Sequence, residues 1–295
     1  MTSAAIPHDL PATGKVGSAL LGGNRLYWLL LILPCLFLGL FYVLPVINVL
    51  VMSVTVPRAG IENYSALFSN AAVQRVLLTT LRISVVTTAI TLVLGYGVAY
   101  ALVHSGPRER KILFAIILAS FWISALIRAF AWVAILQSAG LINSALTWLG
   151  IIDTPLQLVR NELGVMIGMV HYMLPYAILP LYANMSGIDR SLVPAARALG
   201  ATPFQAFRWV FLPMSMPGVI GAGVIVLIFS LGFYITPAIL GGGKTIMIAE
   251  YISIQISETL RWGLAAMLAS TLLAGVLLLV LWLSRFMDLE TALKK

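Results

Sequence analysis

The chain is expected to be an all-α, polytopic membrane protein of six helices, and three observations carry that expectation. Of its 295 residues, 61% are hydrophobic and only 9% are charged, which leaves too little polar surface for a soluble domain of this size. Six apolar stretches, near residues 26–54, 76–103, 112–136, 163–186, 214–239 and 262–285, reach roughly the 20 residues that a helix needs to cross a bilayer. The formal charge of +8 is scattered through the short segments between those stretches. That pattern fits membrane topology and gives no basic face for nucleic acid.

Taken in order, residues 1–25 read as an N-terminal tail, with Pro7, Pro11, Gly14, Gly22 and Gly23 against any regular element. They lack the apolar core and small-residue cleavage site of a signal peptide, so the first span is expected to act as an uncleaved signal anchor. Residues 26–75 form that span and an outer loop, 76–286 a core of five further spans, and 287–295 a C-terminal tail. Pro34, Pro45, Pro175, Pro180 and Pro237 fall inside spans, where they mark kinks or close packing and not chain breaks. Between spans three and four, Gln137–Gly150 reads as a short amphipathic helix lying along the membrane surface. The lone Cys35 excludes a disulfide framework.

Six spans put both termini on one side. Eleven lysines and arginines, from Lys15 to Lys295, fall in the terminal and even-numbered loops, against five in the opposite set (Arg58, Arg75, Arg160, Lys244 and Arg261). The positive-inside rule makes the termini cytoplasmic and places residues 187–212 on the same side.

That inner segment carries the strongest local signal. Ser191 is positioned to cap a helix whose third position is Pro194, and Gly200 to supply its left-handed exit. Thr202-Pro203-Phe204-Gln205 is a capping box with proline at the first helical position, opening a second short helix that Pro213 and Pro217 are expected to close. The result is a two-helix docking knuckle. Its order of Ala195-Ala196, Gly200, Phe207, Leu212-Pro213 and Pro217 resembles the cytoplasmic "EAA" loop of bacterial ABC-importer permeases, with Pro194 where that family has a glutamate. Phe121–Trp132, Gly168–Tyr176, Gly232–Pro237, Leu240–Lys244 and Asp153–Gln157 are similar to the spermidine/putrescine-type branch.

The resemblance implies the type I ABC-importer permease fold and a bacterial inner-membrane address. It implies a homologous second permease, two ATPase subunits that bind ATP and Mg, and a periplasmic substrate-binding protein. It makes Ala195, Ala196, Gly200, Phe204, Phe207, Trp209, Leu212 and Pro213 the ATPase-coupling residues. Polyamines or related organic cations are the first substrate class, with opines, amino-acid derivatives and other carboxylate-bearing solutes as the alternative.

No nucleophile–base set, metal-ligand spacing or dinucleotide fingerprint stands out, so the chain is not expected to be an enzyme or to hold a cofactor. Gly241-Gly-Gly-Lys244-Thr245 ends like a phosphate-binding loop, but Ala238 occupies the position of its first glycine. Two arginines lie inside spans. Arg82, seven residues after Arg75, reads as snorkelling or paired with a nearby carboxylate, whereas Arg128 is open between such pairing and a place on the transport path. Trp122, Arg128, Phe233, Tyr234 and the outer Glu250 are the candidate path residues, since Pro237 and Thr236 favour an unwound helix there and aromatic faces attract cations. The rival reading is interfacial-belt packing. His171 reads as a packed, hydrogen-bonded histidine. No carboxylate lies deep inside a span, which weakens the polycation assignment. A self-contained channel or ion-coupled carrier would want intramembrane acids or inverted repeats and would not need the knuckle.

Overall fold

The computed structural model describes residues 30–293; the expected tail 1–25, the first residues of span one and Lys294-Lys295 lie outside them. The helices are α1 (Leu30–Thr55), α2 (Glu62–Ser69), α3 (Ala71–His104), α4 (Pro107–Trp122), α5 (Ala125–Leu136) and α6 (Leu141–Trp148). They continue with α7 (Glu162–Ser186), α8 (Leu192–Ala198), α9 (Pro203–Leu231), α10 (Ile235–Leu240), α11 (Ile248–Ser257) and α12 (Trp262–Leu293). No strand occurs among the described residues. Six helical segments are long and apolar enough to cross a membrane. Residues 30–51 form one unit, an apolar helix whose side chains are exposed, and residues 52–293 form a second.

In the second unit, α3, α7 and α9 make the central bundle. Asn70 starts α3 by accepting the N–H groups of Ala72 and Val73 at 2.9 and 3.3 Å, which satisfies two of the donors a helix start leaves unpaired. Small residues let the helices approach closely: a Cβ on Gly95 would stand 3.1 Å from the Cβ of Ala177, and one on Gly218 2.7 Å from that of Asn184. The core then fills with Ala99, Met173, Ala177, Leu181, Ala222 and Val226. Pro175 and Pro180 sit inside an uninterrupted α7, as expected in a membrane. Within 137–150, expected as a short surface helix, the chain forms the helix α6, pinned by the buried Asn143, which bonds Leu156 N–H and C=O at 2.8 and 2.9 Å.

Several expectations need correcting. Span three, expected over 112–136, is not one helix, because the chain breaks between α4 and α5 at Ile123-Ser124. There the Ser124 side chain accepts the Leu126 N–H at 3.3 Å and restarts the helix. The segment long and apolar enough to cross a membrane in this region is Ala125–Trp148, which takes in α5 and α6. Ser191 does not cap α8; its backbone is already helical, and Asp189 accepts both its N–H and its Oγ–H at 2.9 Å. Those bonds hold the Asp189 carboxyl below its ordinary range. Pro213 and Pro217 do not close the second knuckle helix, which runs on into span five as α9. A wider turn over Phe207–Phe211, in which Leu212 N–H reaches back to Phe207 C=O, admits the Pro213 ring without ending the helix. The same device, over Gly39–Val43, precedes Pro45 in α1. Residues 287–293, expected as tail, continue α12 because no glycine or proline interrupts them.

Candidate translocation site and coupling surface

The second break lies between α9 and α10, at Gly232-Phe233-Tyr234. Its cause is Pro237, which lacks the N–H that would pair with the carbonyl four residues back, on Phe233. This is the unwinding expected near Thr236-Pro237, displaced a few residues towards the N-terminus. Gly168 of α7 fixes where α10 lies, since a Cβ there would come within 2.6 Å of Leu240 Cδ1 and 2.7 Å of Thr236 Cγ2.

Tyr172 of α7 stands between the two breaks. The Arg128 guanidinium, in the first turn of α5 beyond one break, lies 4.2 Å from the Tyr172 ring centroid. The Phe233 ring, inside the other, lies 4.5 Å from it. Tyr176 stacks on Tyr172 at 6.0 Å and meets Phe121 at 5.2 Å and Phe229 at 5.0 Å. Beside them Trp132 Nε1–H donates to His171 Nδ1 at 3.2 Å, so His171 is hydrogen-bonded as expected, but it is exposed and not packed. Residues from two helix breaks thus meet at Tyr172, with one arginine over its ring. Irregular backbone of this kind is tolerated at membrane depth only when protein buries it or it lines a wet cavity.

Of the path candidates, Arg128 and Phe233 join this cluster, and the remaining three lie apart. Trp122 is 90% exposed at the end of α4, and its neighbour Phe121 makes the aromatic contact instead. Tyr234 is 44% exposed at the second break. Glu250 belongs to α11, which packs on α3 and α12. It is only 7% exposed, with one carboxylate oxygen unpartnered. Burial pushes its carboxyl up to about 7, against the Met247 N–H bond that lowers it. Arg82 pairs with Glu162 at the start of α7, the partnered state its sequence context suggested.

Tyr172, Tyr176, Phe121 and Phe229 were not singled out in the sequence. The four-residue spacings Tyr172–Tyr176 and Phe229–Phe233 were the available signal, because they put each pair on one helix face.

At the other end of α3 and α7, residues 189–212 form the knuckle. Gly200 has φ +93° and closes α8 with its own N–H on Arg197 C=O at 3.0 Å and Ala201 N–H on Ala196 C=O at 3.1 Å, the paired bonds of a Schellman exit. The capping box is formed, with Thr202 N–H on Gln205 Oε1 at 2.8 Å and Gln205 N–H on Thr202 Oγ1 at 3.3 Å. The expected coupling residues divide into two groups. Phe207 faces inward, edge-on to Tyr100 at 5.7 Å and to Tyr96 at 6.2 Å, and Leu212 is half-buried. Phe204 and Trp209 are 67% and 73% exposed, with Ala195, Gly200 and Pro213 also exposed and Ala196 half-buried.

The chain is similar to the spermidine/putrescine transport system permease protein PotB of Escherichia coli (strain K12), 33% identical over 224 residues, 75% of this chain and 81% of the relative. PotB of Haemophilus influenzae is 34% identical over 237 residues, 78% of this chain and 82% of that protein. The inner membrane ABC transporter permease protein YdcU of Escherichia coli (strain K12) is 29% identical, covering 78% and 80%. Among solved structures, a bacterial alginate ABC transporter in complex with alginate pentasaccharide-bound periplasmic protein aligns with a TM-score of 0.74 at 18% identity, over 91% of this chain and 96% of that chain. The MetNI methionine ABC transporter aligns at 0.54 and 19% identity, over 72% and 93%. At those identities the likeness speaks for the fold, that of an ABC-importer permease. Residues 91–288 match the model of the binding-protein-dependent transport system inner membrane component family, and with that match and the PotB identities the chain belongs to this family of ABC-importer permeases.

Proposed function

We propose that this chain is one permease of an ATP-driven importer that carries a small, amine-bearing organic solute, a polyamine or a related organic cation. The solute is delivered by a periplasmic binding protein and moves by alternating access between this chain and a homologous second permease. Two ATPase subunits hold ATP and Mg, and one of them docks on residues 187–212, through Phe204, Trp209 and the small residues Ala195, Ala196 and Gly200. The chain itself is non-catalytic and keeps both termini in the cytoplasm. Phe233 and Tyr234 border the path, with Glu250 near its outer mouth.

The observation that carries this reading is the continuity of α9. One helix starts in the knuckle at Pro203 and ends at Leu231, at the break beside the Tyr172 cluster. The relatives named for spermidine and putrescine support the amine-bearing substrate. Aromatic anchors that act as the hot spots of an interface cost about 2 kcal/mol or more each when removed. Phe204→Asp with Trp209→Asp is therefore expected to release the ATPase subunit docked there on co-purification and to abolish ATP-dependent uptake, while the chain still inserts. Retention of both would refute the docking role.

A further inference from the structure

The importer reading leaves one group at its centre without a role. Arg128 carries a permanent charge in the first turn of α5, directly after a helix break. Its Nε is buried from solvent and finds no acceptor among the described residues. Among those residues the only ion pair is Arg82–Glu162, so no carboxylate of this unit neutralises it. One face of Tyr172 already holds the guanidinium, 4.2 Å from the ring centroid. A solute carrying amines alone would bring a second like charge to that ring. A half-buried guanidinium with a buried, idle Nε–H calls instead for a planar anionic acceptor, and a carboxylate suits its fork of donors.

We propose that the solute carries a carboxylate as well as an amine, and that Arg128 receives the carboxylate while neighbouring aromatic faces receive the amine. Phe233 and Tyr176, 4.5 and 6.0 Å from Tyr172, supply those faces beyond the one Arg128 covers. Within the organic cations of the importer reading, the substrate class narrows to an amino acid or an amino-acid derivative with a basic side chain. The inference rests on the importer reading and names the substrate class of that same path.

The test uses the complete assembly in proteoliposomes, with its binding protein and ATP. The probes are two pairs that differ by one carboxylate: ornithine against putrescine, and arginine against agmatine. In the unaltered assembly the carboxylate-bearing member of at least one pair is expected to enter ten-fold faster or better. Arg128→Gln is expected to shrink that ratio at least ten-fold by slowing the acid member and sparing its twin, and Arg128→Lys to restore part of it. The binding protein is the same throughout, so a change in the ratio reports the permease. Equal or better entry of the decarboxylated twin overturns the inference, as does an Arg128→Gln variant that slows both twins alike. Loss of the second permease on co-purification of Arg128→Gln also overturns it, since the acceptor is then an acid of that partner. Failure of the importer reading has a different signature, namely no ATP-dependent entry of any of the four probes.

Discussion

Gly200 allows the coupling surface to be tested with a single methyl group. Its φ of +93° lies in the left-handed region, and a Cβ built there meets nothing within 4 Å. Gly200→Ala therefore meets no neighbouring element, and its effect is confined to its own backbone. An L-residue held in that region costs about 1–2 kcal/mol. The exit bonds from Gly200 and Ala201 then compete with a relaxed loop, and the native knuckle loses about five- to thirty-fold in relative population. Gly221, within α9, is the matched control, because a Cβ there also meets nothing within 4 Å and its backbone is helical. The same substitution at Gly221 stabilises its helix by up to about 1 kcal/mol. The assay is ATP hydrolysis stimulated by the loaded binding protein, with subunit co-purification measured in parallel. Gly200→Ala is expected to lower stimulation by about the stated factor while Gly221→Ala leaves it unchanged. Equal stimulation in the two variants would show that the left-handed exit is not needed for coupling.

Four further outcomes are expected. Gly168→Val drives side-chain atoms into Leu240 and Thr236, and such overpacking costs about 1–3 kcal/mol; thermal stability in detergent should fall together with uptake, and an unchanged melting point would count against the close α7–α10 contact. Tyr234→Ala should lower uptake roughly two- to thirty-fold, the worth of one cation–π contact, with assembly and basal ATP hydrolysis intact; normal uptake would remove Tyr234 from the path. Glu250 keeps its proton in the folded chain up to about pH 7, against an ordinary value of 4.5, so the native state binds the extra proton in that window and thermal stability should fall as pH rises from about 4.5 to 7; Glu250→Gln should flatten that slope. Cysteines placed at Ala59 and Lys244 in a Cys35-free background should react with an impermeant thiol reagent from outside, and one at Arg110 should not; the reverse pattern would invert the proposed orientation.

The six spans were legible because length and apolarity alone decide them, and the knuckle because its glycine, proline and capping residues act on their own backbone. Thr202 and Gln205, three residues apart, satisfy each other whatever surrounds them. The break at Phe233 was legible for the same reason, since Pro237 removes a bond within its own turn. The break at Ile123-Ser124 was not, because a serine inside an apolar run is also an ordinary helix residue and no proline or glycine marks it. Pro213 misled in the opposite direction. A proline ends a helix only when the preceding turn cannot widen, and the Phe207–Phe211 turn does widen. Arg128 on Tyr172, Phe233 on Tyr172 and Arg82 with Glu162 join residues far apart in sequence. Local pattern supplies each partner but not the pairing.

The continuity of α9 changes what the importer reading requires of the fold. Two short helices ending at Pro213 would put a flexible joint between the docking surface and the bundle, and movement of an ATPase would dissipate there. A helix of 29 residues is instead a stiff rod of about 43 Å. Its first turns are held against α3 by Phe207 and Phe211 on Tyr100, at 5.7 and 5.3 Å. As a helix it ends only at Gly232-Phe233-Tyr234. The wide turn at Phe207–Phe211 and Pro217 loosen that rod locally, but the helix is not broken before that point. On this reading the break serves as the hinge, and the Phe233 ring on Tyr172 is the first contact beyond α9 that the movement would change. Arg128 shares that tyrosine, so the group proposed to hold the carboxylate would sense the same displacement. Substrate release and ATPase movement would then meet at one side chain, Tyr172, without a chain of coupled contacts between them.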